Sequence, residues 1–141
     1  MHRPRLLPAI AALLFLLPVR LLGADPQPYA VTLTPTGNAA LDQAVRDSSQ
    51  LEALREKAPV GPFGLVTRAR DDAGRFQTAL NSFGYYASKV TVTVAGKPLD
   101  QTDLPDLLQQ APADPPVPVV VSFDLGPLFH LGRVTIDGEV P

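Results

Sequence analysis

The chain has 141 residues, with 12 Lys and Arg against 14 Asp and Glu and a formal net charge of −2. That balance argues against the basic surface a nucleic-acid binder needs. The absence of cysteine excludes disulfides, thiolate metal sites and thiol redox chemistry, so stability must come from the core.

Arg3 and Arg5 precede a run from Leu6 to Leu22 that is apolar except for Arg20, and Gly23-Ala24 follow it as small residues. This is the pattern of a signal peptide, residues 1–24, with the cut expected after Ala24. The competing reading is a retained anchor, but Pro8, Pro18 and Arg20 interrupt the run that a spanning helix needs. Removing the leader leaves a length ordinary for one domain, more acidic than the whole chain.

From Tyr29 to Thr34 the sequence alternates, with Tyr29, Val31 and Leu33 on one face and Ala30, Thr32 and Thr34 on the other. It predicts a half-buried strand. Pro35 and Gly37 break it, and Asn38 is placed to cap a helix. Leu41, Val45, Ser48 and Leu51, widened by Ala44 and Leu54, predict one amphipathic helix to about Glu56. Ala58 to Gly64, with two prolines and two glycines, reads as a connection.

A second helix is expected along Leu65, Ala69, Ala73, Phe76 and Leu80, extended by Ala79 and Phe83. Its outer face is assigned Arg68, Asp71, Asp72, Arg75 and Gln77. Gly74 costs this helix about 1 kcal/mol relative to alanine, which suggests close approach of another element there. Gly84 ends it, because glycine enters the left-handed conformation freely.

Lys89 to Ala95 alternates Val90, Val92 and Val94 with Thr91 and Thr93, a second strand solvated on one face. The Pro-punctuated stretch from Gly96 to Pro116 is long for a connection inside a domain. Asp103 to Gln110 is expected there as a short surface helix or a poorly ordered excursion. A third strand, Val119 to Asp124, is the least amphipathic and therefore belongs in the centre of the sheet. Leu131 to Gly138 is a fourth strand-like run that echoes the first, Val134-Thr135-Ile136 matching Val31-Thr32-Leu33.

Two helices of this kind must cover one face of a small sheet, an α+β arrangement. With Ser49 to Leu54, Arg68-Ala69-Arg70-Asp71, Leu80 to Tyr86 and Gly126-Pro127-Leu128-Phe129-His130-Leu131-Gly132 in place, the chain resembles POTRA domains of the outer-membrane assembly superfamily, its translocation and assembly module members most closely. The resemblance spans Tyr29 to Gly138. It implies the order β-α-α-β-β, with two helices on one face of a three-stranded mixed sheet. It divides the chain into a signal peptide at 1–24, a domain at 25–125, and the first strand of a second unit at 126–141. It further implies a periplasmic location, outer-membrane client polypeptides or assembly-complex subunits as partners, and membrane association only through a barrel, which does not follow here. A retained leader would instead suit a POTRA domain tethered to the inner membrane by a cell-division protein.

No cofactor, metal or catalytic residue is expected. His130 is the one histidine after the leader, and Asp71 and Asp72 point about 100° apart on a helix, poor geometry for shared acid–base work. A small hydrolase using Asp71, Asp72 or His130 is the remote alternative; the aspartates are expected to pair with Arg68 and Arg75 on a solvated face. Tyr85 and Tyr86 carry two readings. Either one covers the core edge and the other starts the strand, or they form an aromatic contact for an extended peptide. The strand Lys89, Val90, Thr91, Val92, Thr93, Val94, Ala95 is the candidate client-binding edge, since an open sheet exposes unpaired N–H and C=O groups. The alternative is that the 96–116 segment folds over that edge.

Overall fold

The structure, a computed structural model, describes residues 25–138. The signal-peptide expectation lies outside them. Alternation decides the strands. Strand β1, Tyr29–Leu33, sends Tyr29 into the core and leaves Ala30 and Thr32 exposed. The later strands are β2 at Lys89–Val94, β3 at Lys97–Pro98 and β4 at Val117–Asp124. They form one mixed sheet in the order β1-β4-β2-β3, with β1 parallel to β4 and β2 antiparallel to both β4 and β3. The expected third strand is therefore central, although it starts two residues earlier than its apolar run suggested. Val92, Val94, Val117, Val119 and Val121 are buried, while Thr91, Pro118 and Ser122 are exposed on the opposite face.

The buried face carries the helices α1 (Ala39–Ser48), α2 (Gln50–Ala53), α3 (Pro62–Ser82) and α4 (Leu104–Gln109). Asn38 caps α1, its side chain accepting from the Ala40 and Leu41 N–H groups at 3.0 and 3.2 Å. The single helix expected up to Glu56 does not form. Ser49 adopts an extended conformation, ends α1 and starts α2, its hydroxyl accepting from the Glu52 N–H at 3.2 Å. Leu41, Val45 and Leu51 nevertheless all reach the core. Pro62 opens α3, a position where its missing N–H costs nothing, so this helix begins inside the expected connection. Gly74 is not explained by close approach, since a Cβ there would meet nothing within 4 Å.

Two further expectations change in the 96–116 stretch. Ala95 and Gly96 both have positive φ, 52° and 73°, and turn the chain into a tight hairpin that adds β3 as a fourth strand. Leu104 to Gln109 is helical, but it is no surface excursion: Leu104, Pro105 and Leu108 are buried and complete the core beside α3. Residues 131–138 form no strand, and Leu131 and Ile136 are 94% and 89% exposed. With no sheet beside them, their alternating pattern has nothing to pair with. Among the described residues no helix is long and apolar enough to cross a membrane.

Candidate functional site

The candidate strand runs between two unequal neighbours. On one side Lys89–Val94 pairs with β4 along its whole length. On the other side only Thr93 and Val94 are paired, with Pro98 and Lys97. Ala95 donates its N–H to the Pro118 carbonyl at 2.8 Å. Antiparallel alternation then turns the peptide groups of Lys89, Thr91 and Thr93 toward β4 and those of Val90, Val92 and Val94 outward. Val94 is met by Lys97, so Val90 and Val92 hold the unpaired part of this edge among the described residues. The 96–116 segment thus covers the edge at its hairpin end and leaves the Lys89 end open. Ala95 belongs to the turn.

Beyond Lys89 the ladder continues in a looser form. Lys89 faces Asp124, a Cβ on Gly126 would stand 3.2 Å from the Ala87 carbonyl, and Phe129 donates its N–H to the Gly84 carbonyl at 3.0 Å. These pairs keep one antiparallel register. The two sequence elements Gly84-Tyr85-Tyr86 and Gly126-Pro127-Leu128-Phe129 therefore meet in space. Gly84 sits at φ 91°, where a Cβ would lie 3.0 Å from the Phe129 carbonyl oxygen and 3.1 Å from Leu128 Cδ1, so glycine is required on two counts.

The two tyrosines divide. Tyr85 is half-buried against the core, and Tyr86 is 65% exposed, its ring meeting Phe129 edge to face with centroids 5.9 Å apart. Neither starts the strand, because a turn from Tyr85 to Ser88 intervenes, closed by the Ser88 hydroxyl donating to the Tyr85 carbonyl at 2.6 Å. The result is an exposed aromatic pair beside the open end of β2.

The aspartates do not share a solvated face. Asp71 is exposed, but Asp72 is fully buried. It accepts from the Ser49 hydroxyl at 3.0 Å, the Gln50 N–H at 3.1 Å, the Leu51 N–H at 2.8 Å and Arg75 Nη1 at 3.0 Å. The Asp72–Arg75 pair forms as spacing suggests, with its carboxylate in the core and occupied on every side. Arg68 reaches elsewhere, donating to the Tyr29 hydroxyl and to the Leu54 and Ala58 carbonyls, which ties β1 to the end of α2. His130 is exposed.

Among the described residues no group of three His, Cys, Asp or Glu could hold a metal ion. An open concavity of about 600 Å³ is bounded by Pro26, Gly61, Phe63, Gln109 and Ala111, with Asp25 as its ionisable group. No family model matches the chain, and neither curated proteins nor solved structures yield a match.

Proposed function

We propose that this chain is a periplasmic POTRA module of an outer-membrane protein assembly or translocation factor, and that it binds client polypeptides or partner subunits by adding their strands to its sheet. The observation that carries the reading is the unpaired row of peptide groups at Val90 and Val92, on a strand whose far side is fully paired. Such an edge accepts any extended backbone and asks little of its sequence, which suits many different clients bound weakly. The exposed rings of Tyr86 and Phe129 beside the open end add an apolar contact with the same tolerance. The resemblance in Gly84-Tyr85-Tyr86 and Gly126 to Gly132, and the leader, supply the compartment and the class of client.

The test is a titration of the isotope-labelled protein with extended peptides taken from outer-membrane barrel strands, followed through its amide resonances. Progressive shifts at Val90, Val92 and Tyr86 are expected. Resonances unchanged along every edge of the sheet at millimolar peptide would end the reading.

A further inference from the structure

The other side of the sheet ends on β1, whose one neighbour among the described residues is β4. Val117 donates its N–H to the Pro28 carbonyl and Thr34 donates its N–H to the Val121 carbonyl, both at 2.9 Å. Alternation from those two bonds turns the peptide groups of Ala30 and Thr32 toward β4. Those of Tyr29, Val31 and Leu33 point away from the sheet, and none has a backbone partner among the described residues.

The two edges are defended differently. On the β2 side, Lys89 stands at the open end, and β3 covers the other end with Lys97 and with Pro98. Lysine, proline and a short covering strand are the usual devices that stop a sheet from pairing with a stranger. Tyr29–Leu33 has none of them. It contains no charge and no proline, its five residues run without a bulge against β4, and Ala30 and Thr32 on its solvent face are small. Beside its first residue lies an open concavity of about 400 Å³ between Pro28, Tyr29, Arg55, Glu56 and Pro59, room for a large side chain at one end of an added strand.

We propose that the β1 edge is a second strand-acceptor site, and the stronger one, for an extended polypeptide of alternating apolar and polar residues. The unpaired groups themselves specify this occupant: three N–H donors and three carbonyl acceptors at every second residue match the backbone of one added strand. The β2 edge offers two of each. The flanking Pro28 and Pro35 limit pairing to about one short strand. The sheet then becomes client-β1-β4-β2-β3, and because the two edges lie on opposite sides of β4, one domain can hold two segments at once. This rests on the strand-addition reading above and assigns its main site to a different strand.

The experiment is an amide-resonance titration with an alternating Val/Thr peptide flanked by lysines for solubility. Shifts at Tyr29, Val31 and Leu33 are expected to saturate at a peptide concentration several-fold below those at Val90 and Val92. Val31→Pro removes one outward N–H while leaving the β4 ladder bonded, and should weaken the β1 response about tenfold without altering the β2 response. Shifts confined to Val90 and Val92 would overturn the β1 site and leave strand addition standing. Silence at both edges would remove both. The wild-type shift map decides between these outcomes even if Val31→Pro fails to fold.

Discussion

The buried carboxylate of Asp72 accepts the Leu51 N–H at 2.8 Å, joining the middle of α3 to the first turn of α2 across 21 positions of sequence. With the Ser49 hydroxyl and the Gln50 N–H it supplies the side-chain acceptor for a helix start that would otherwise leave buried donors unpaired. Asp72→Ala should therefore cost roughly 2–4 kcal/mol, since it strands several donors at once. Thermal unfolding should show a drop of ~10 °C or more. Asp72→Asn keeps the shape but replaces one acceptor oxygen with a donor, and should recover less than half of the loss. Full stability in Asp72→Asn would mean that the charge-assisted bonds contribute little.

A substitution at Gly84 should act locally. Gly84→Ala places a Cβ against the Phe129 carbonyl at a φ of 91°, a cost of about 1–3 kcal/mol. The expected signature is fast hydrogen exchange at the Phe129 amide with undiminished protection through Val119–Val121. Tyr86→Ala, which removes the edge-to-face contact but not the backbone bond, should give a smaller increase at the same amide. Equal exchange in wild type and Gly84→Ala would show that segment 126–129 is not held by this contact.

The strand faces are legible because a two-residue alternation is read directly from Tyr29–Leu33 and Lys89–Val94, and the central place of the third strand because the unbroken apolar run Val119–Val121 lacks that alternation. The charge of Asp72 points to the outer face, but its spacing points inward. Leu65, Ala69, Asp72, Phe76 and Leu80 follow one another at three- and four-residue steps, so the aspartate sits on the apolar stripe. The break at Ser49 has a local signal in Ser49-Gln50-Leu51-Glu52, the spacing of a helix start whose serine hydroxyl accepts the Glu52 N–H, and the Asp72 carboxylate reinforces it from a distance. The Ala95-Gly96 hairpin was hidden because alanine rarely occupies a left-handed position. The acceptor edge on β1 follows only from strand order, which emerges when β1 pairs in parallel with β4, a partner 88 residues away in the register Tyr29 to Val117.

Acid should weaken one helix start. The Thr36 hydroxyl, and then the Thr36 N–H at 2.8 Å, donate to Asp42 and hold its carboxyl below the ordinary value, with Arg46 adding a smaller attraction. A depressed folded-state pKa means stability that is present above the unfolded-state value near 3.8 and is lost as pH falls through the folded value. Thr36→Val removes the hydroxyl donor, so the Asp42 pKa should rise toward its ordinary value in a carboxyl-detected pH titration. The stability difference between wild type and Thr36→Val should be constant at neutral pH and shrink as the pH falls below about 4. A difference that grows in acid would reverse the assigned sign.

The hairpin after β2 offers the opposite kind of change, a gain. Ala95 is exposed at φ 52°, so its side chain contributes no packing, while its Cβ makes the left-handed conformation costly by about 1–2 kcal/mol. Asparagine tolerates that region and, followed by Gly96, makes the Asn-Gly pair that two-residue hairpins with two positive φ values favour. Ala95→Asn should stabilise the domain by about 0.5–1 kcal/mol and raise Tm by a few degrees. Ala95→Val, with a branched side chain in the same conformation, should lower it. The two changes also bear on the edge: a firmer turn holds Lys97 against Val94 more of the time, so hydrogen exchange at the Val94 amide, which points toward β3, should slow in Ala95→Asn and quicken in Ala95→Val. If both variants leave that exchange unchanged, β3 is held by Leu99 and the residues of α4 rather than by the turn.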